Sequence, residues 1–194
     1  MTFFKNFKRE FSNTLNLIED TKFKKCIDLL KKLKKSKGRL FIIGVGGSAA
    51  NASHAVNDFR KICNIESYCP SDNVSELTAR TNDDGFEHVF KSWLKVSKMN
   101  KKDLLLIFSV GGGDLKKKVS INIVNAIKYA NQKKAKSISF IGRKDGYAYK
   151  HSTLPVLFRV NNKDLLTPVC EAMQVMLWHA IVSDPRIKQN KTKW

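Results

Sequence analysis

"FIIGVGGSAANASHAVNDFRK", Phe41 to Lys61, joins an apolar run to a glycine turn and then to a stretch bearing His54 and Asp58 one helical turn apart. A short, wholly apolar run that stops at glycine and passes into a helix-compatible segment is the form of a strand buried on both faces. The succession returns along the chain. "DLLLIFSV" leads to "GGGDLKKKVSINIVNAIKYANQK", "SISFIG" to "RKDGYAYKH", and "LPVLFRV" to "LLTPVCEAMQVMLWHAIVSD". Apolar strands alternating with helices predict an α/β fold, a three-layer sandwich with a central parallel sheet flanked by helices. Between the first two units, "IESYCP" reads as a short strand and "NDDGFEHVFKSWLKVSKM" as a connecting helix.

Ahead of the sheet, Phe4, Phe7, Phe11, Leu15 and Ile18 recur every three or four positions, and Phe23, Ile27, Leu30 and Leu33 repeat the pattern up to Gly38. This periodicity predicts two amphipathic helices over 1–38. Their lysine-backed apolar stripe fits packing on the domain or on another subunit, and it would also suit a membrane surface. No Pro/Gly/Ser-rich linker, repeat or low-complexity tract divides the chain, so 1–194 is expected to form one domain around one core.

Lys+Arg total 36 against 17 Asp+Glu, a formal charge of +19 that attracts phosphates of every kind. Lysine dominates, and no helix-turn-helix, zinc-finger or aromatic-plus-basic RNA signature accompanies it. A solvated surface is therefore expected rather than a specific nucleic-acid partner. Neither terminus carries a secretory-type apolar run, and no stretch is expected to span a membrane, so the reading is a soluble, cytoplasmic protein. Cys26, Cys63, Cys69 and Cys170 form no CxxC pair and lie in apolar patterns, which suits buried reduced thiols.

In an open parallel sheet, ligands sit beyond the carboxyl ends of the strands, where helix N-termini offer amide N–H groups and a partial positive charge. "GVGGSA" and "SVGGGD" both fall there. The first nearly satisfies the dinucleotide fingerprint, with Glu66 downstream, so a nicotinamide enzyme competes. Against it, Glu66 falls within the expected strand, and a second glycine turn is left unexplained. A Walker A loop is excluded because no Gly-Lys-Ser/Thr follows. The glycines could also serve only tight turns, and Ser48 could be only an N-cap.

His54 and Asp58, at i and i+4, share one helix face, about 9 Å and about 15 Å along the axis from Ser48. Glu171 and His179 stand in an otherwise apolar helix, where a polar group is costly unless hydrogen-bonded or coordinated. Two histidines and two carboxylates suit acid/base catalysis or a divalent metal; a hydrogen-bonded cluster without either role is the plainer alternative.

Taken together, "GVGGSAANASHAVNDF", "SELTARTNDDGFEHVF", "FSVGGGD", "FIGRKDG" and "LWHAIV" resemble the phosphoheptose isomerases, the sedoheptulose 7-phosphate isomerases of the sugar isomerase (SIS) domain group. The resemblance covers nearly the whole chain. It implies a flavodoxin-like SIS domain, no nucleotide cofactor, a sugar-phosphate substrate and a homotetramer with sites between subunits. It also implies a phosphate site from Gly46, Gly47, Ser48, Ser109, Gly111, Gly112 and Gly113, with Asn82 and Asp83 of the "ND-x-GF" segment in the substrate site. By the same resemblance a zinc ion would be held by His54, Asp58, Glu171 and His179. Asp58 would be the base and His179 its acid/base partner.

Three departures stand out: Asp58 where the familiar enzymes have glutamate, Glu171 where they have glutamine, and "GGGD" in place of a serine-rich loop. They motivate a second reading, a non-catalytic phosphosugar-binding or regulatory protein. For the enzyme, the implied reaction is ketose-to-aldose isomerisation to D-glycero-D-manno-heptose 7-phosphate in bacterial surface-glycan biosynthesis. Such a reaction moves a proton between C1 and C2 through an enediol.

Overall fold

Alternation along the strands sorts the core into two layers. Leu40 and Ile42, Leu104, Leu106 and Phe108, Ile138 and Phe140, and Leu154 and Val156 point to one face. Phe41 and Ile43, Leu105 and Ile107, and Ile141 point to the other. Because successive strand side chains point to opposite faces, apolar residues at consecutive positions require helices on both sides. The computed structural model describes residues 2–191 and supplies those helices. The two ends of the expected 1–194 domain, Met1 and 192–194, lie outside the described residues.

In chain order the elements are α1 (Phe3–Asn16), α2 (Asp20–Lys35), β1 (Leu40–Ile43), α3 (Gly47–Lys61), β2 (Ser67–Tyr68), α4 (Val74–Asp84) and α5 (Val89–Val96). They continue with β3 (Leu104–Ser109), α6 (Ile121–Gln132), β4 (Lys136–Ile141), α7 (Tyr147–His151), β5 (Leu154–Leu157) and α8 (Leu166–Ser183). All strand pairs are parallel, in the order β2-β1-β3-β4-β5, with Leu40 opposite Ser67 and Leu104. This is the flavodoxin-like order, and its direction reverses between β1 and β3. Helix α3 packs on the first face and α6 on the second, so the turns after β1 and β3 part around a crevice.

Two expectations are refined. The connecting helix is two helices, α4 and α5, separated at Gly85. Asn73 starts α4, its side-chain oxygen accepting from the Glu76 N–H at 3.1 Å. Residues Lys163–Ser183 are long and apolar enough to cross a membrane, contrary to the sequence expectation. Half of that stretch is buried inside the fold, with Val169, Cys170, Met173 and Trp178 all at 0% exposure, which is the pattern of a core helix.

All four cysteines are free and buried. Burial pushes the Cys26 and Cys170 thiols up to about 12 and those of Cys63 and Cys69 up to about 11, so none supplies a thiolate near neutral pH.

Candidate active site

The first glycine turn begins where β1 ends. Gly46, the residue that caps α3, has φ +63° and ψ −131°, a backbone conformation that side chains rarely adopt. No side chain caps α3, so its positive end is presented by backbone alone. Ser48 follows in the first turn, 2% exposed. Gly47 is required by a close approach: a Cβ there would lie 2.5 to 2.7 Å from the carboxyl atoms of Glu171 on α8.

From that point α3 and α8 run parallel. Asn51 Nδ2 donates to the Glu171 carbonyl at 3.1 Å and to Gln174 Oε1 at 3.0 Å. Farther along, the Trp178 ring lies 4.7 Å from that of His54 and 3.6 Å from that of His179. This parallel run makes the His–Asp pair of one helix meet the histidine of the other. Asp58 Oδ2 is 3.5 Å from His179 Nε2 and 3.9 Å from His54 Nε2. Its other oxygen, Oδ1, accepts from Asn57 Nδ2 at 2.9 Å. The Asp58 side chain is 12% exposed, and those of His54 and His179 are 57% and 44% exposed. A carboxylate held by one amide, with its free oxygen toward two imidazoles and a side open to solvent, can accept and pass on a proton.

Ligand-type atoms of His54, Asp58 and His179 all lie within 4.8 Å of one another. Two imidazole nitrogens and a carboxylate oxygen match the chemistry of a catalytic zinc site with one position left for solvent or substrate. Glu171, expected as a fourth ligand, is not in this group; its carboxylate lies against Gly47 at the head of α3. The reason is the eight-residue separation from His179, which places the two side chains about two turns apart along α8.

The second glycine turn is tied down by hydrogen bonds. Ser109 is 7% exposed, and its Oγ accepts from the Gly112 N–H at 3.0 Å. The carbonyls of Gly112 and Gly113 accept from Ala148 and Tyr147 N–H groups at 2.8 Å each, so this loop caps the start of α7. Asp114 lines a small cavity with Gly111, Gly113, Lys117 and Arg143. Its Oδ1 accepts from the Lys116 and Lys117 N–H groups at 2.9 and 3.0 Å, and those bonds hold its carboxyl below the usual carboxylate value.

Val45 of the first turn shares a cleft of about 600 Å³ with Phe86, Glu87, Lys118, Ser120, Ile121 and Asn122. Asn122 is 1% exposed; its Oδ1 accepts from the Ile123 N–H at 2.8 Å, while its Nδ2 is buried with no acceptor. Ser120 caps α6 in a left-handed conformation, φ +50°, with no side-chain capping bond. Sequence reading passed over Lys118, Ser120 and Asn122 because they lie beyond the glycine run, Lys118 within residues 114–119 and the other two after them; a serine just before an apolar helix was the available signal. Asn82 and Asp83 are exposed on α4 and bond to each other at 2.9 Å; neither is among the residues lining the cleft or in the histidine–aspartate group.

A family model for the SIS domain matches residues 2–142. The chain is 31% identical over 163 residues to a phosphoheptose isomerase of Nitratiruptor sp., covering 81% of this chain and 79% of that one. It is 28% identical over 154 residues to the lincomycin biosynthesis protein LmbN of Streptomyces lincolnensis, 74% of this chain but only 54% of that longer protein. Phosphoheptose isomerase GmhA of Neisseria gonorrhoeae has the same fold, with a TM-score of 0.76 and 24% identity over 92% of both chains.

Proposed function

The chain belongs to the SIS domain family, among the phosphoheptose isomerases, and on that premise we propose that it converts sedoheptulose 7-phosphate to D-glycero-D-manno-heptose 7-phosphate. The observation that carries the reading is the Asp58 carboxylate set between two imidazoles on parallel helices, beyond a glycine turn that opens the positive end of α3. A phosphate held at Gly46, Gly47 and Ser48 directs the sugar along α3 toward His54 and Asp58, about 9 Å and about 15 Å farther on.

In the reaction Asp58 takes a proton from C1 while the C2 carbonyl oxygen gains one, giving the enediol. Asp58 then returns its proton to C2 as O1 loses its own, and His179 carries the hydroxyl proton between O2 and O1. Atoms balance without any redox partner. A base over the carbons and an acid beside the oxygens are what such a transfer requires.

Zinc at this site would be held by His54, Asp58 and His179 and would supply polarisation of the substrate oxygens. Protein purified without chelator is expected to carry about one zinc per chain, and Glu171→Gln is expected to leave that content unchanged. Substoichiometric zinc, with activity indifferent to chelation, would instead leave the three residues as acid/base and positioning groups.

The triad residues are not among those lining the cleft, and α1 exposes Phe3 and Phe4 at 73% and 64%. Both features support a homotetramer in which neighbouring chains complete each site, measurable by light scattering as four times the 22.1 kDa chain mass. The direct test of function is a coupled assay with sedoheptulose 7-phosphate and zinc supplied. Absence of turnover across heptose, hexose and pentose phosphates would overturn the isomerase reading.

A further inference from the structure

We infer that Lys118 determines specificity in the cleft at the head of α6, where its ammonium selects a phosphate monoester dianion. The inference rests on the sugar-phosphate reading above, with the one phosphate lying between the heads of α3 and α6, whose turns share the cleft through Val45 and Ser120.

Residues 114–119 form a built hairpin. Asp114 and Val119 pair antiparallel through N–H to O bonds of 2.9 and 3.1 Å, and the Asp114 carboxylate closes the turn on the Lys116 and Lys117 amides. Lys118 and Ser120 both adopt left-handed backbone conformations, φ +52° and +50°. Two such residues within three positions mark a segment held by its surroundings, and such outliers gather at ligand-binding sites.

The hairpin brings Lys118 to the wall of the cleft beside Ser120 and Asn122. Three features there point to an anion. Helix α6 runs twelve residues and directs its positive end at the cleft with no side-chain cap. Asn122, 1% exposed, is among the residues lining the same cleft, and its buried Nδ2 donor has no acceptor. Of the charged residues lining the cleft, Lys118 is the cation, and the sole anion, Glu87, lies 3.9 Å from His88. An ammonium is a compact point charge that accepts a phosphate in several orientations, so it can take the place of several hydroxyl donors. Lys116 shares the hairpin and the charge but faces a different groove, with Tyr147 and His151.

Titration calorimetry of the full chain with sedoheptulose 7-phosphate, and separately with inorganic phosphate, tests the assignment. Loss of one charge-assisted bond predicts that Lys118→Met weakens binding of both by about 10- to 100-fold. It also predicts a KM raised by a similar factor with kcat within about threefold, the mark of binding shared by ground and transition states. Lys118→Arg is expected within about threefold of wild type, and Lys116→Met, with the same change in net charge, within about twofold. An unchanged Lys118→Met, an equal loss in Lys116→Met, or a wild type that binds neither probe would overturn the inference. If the wild type binds phosphate through Lys118 yet turns over no sugar phosphate, the isomerase reading fails and the anion site stands.

Discussion

Asp58→Asn is expected to lower kcat by about 10²- to 10⁴-fold, the span typical of losing a general base, while phosphosugar affinity stays within about an order of magnitude. Asparagine has nearly the shape of aspartate and can still accept from Asn57 Nδ2, now 2.9 Å from Asp58 Oδ1, but it cannot take a proton. His179→Ala should give a loss of the same order, because its Nε2 is the imidazole atom nearer to Asp58 Oδ2, 3.5 Å against 3.9 Å for His54. A fall in kcat and kcat/KM together, with little change in KM, identifies groups that act only in the transition state. Asp58→Glu should retain much more activity than Asp58→Asn, since it keeps the carboxylate and only lengthens the arm. Stopped assays over a range of substrate concentrations separate these cases. Activity of Asp58→Asn within about threefold of wild type would remove Asp58 from proton transfer and leave it a metal ligand or a structural group.

Trp178→Ala is expected to cost about 3–5 kcal/mol of stability, a large part of the roughly 5–15 kcal/mol that holds a domain together. The indole is fully buried, among the largest buried side chains, and it fills the seam where α3 meets α8. At about 2–4 °C per kcal/mol for a chain of this size, the melting midpoint should fall by roughly 6–20 °C. Activity should fall as well, because the same ring packs against both His54 and His179 and limits how far either can swing. Trp178→Phe should be far milder. Its Nε1–H is buried without an acceptor, so the phenyl ring removes an unsatisfied donor while keeping most of the apolar contact. Calorimetric melting of the three proteins decides the matter; a midpoint within about 3 °C of wild type for the alanine variant would mean the seam closes over the gap.

Much of this molecule is legible in one dimension. Consecutive apolar residues at Leu40–Ile43 and Leu104–Ile107 require cover on both sheet faces, and the three-layer architecture follows from that local demand. Helices α1 and α2 are written in the three-and-four spacing of Phe7, Phe11, Ile27, Leu30 and Leu33, because a helix returns to the same face every 3.6 residues. The first glycine turn and the His54–Asp58 pair lie within one strand-turn-helix unit, so their relation depends only on local geometry.

What lies between elements could not be read that way. The arrival of His179 beside Asp58, and of Glu171 beside Gly47 instead, depends on how α8 lies along α3, and that is decided by packing around Trp178 and the Asn51–Gln174 bond. Helical spacing alone leaves open which turn of one helix meets which turn of another. The second glycine turn shows the same limit. Its sequence suggests an anion cradle, and only the tertiary structure shows its carbonyls joined to α7 and Lys118, Ser120 and Asn122, beyond a hairpin, brought into one cleft with Val45 of the first turn. Sequence determines which groups each element can offer, through periodicities of two and 3.6; which of those groups share a site is settled by contacts between residues more than a hundred positions apart, for which no local period exists.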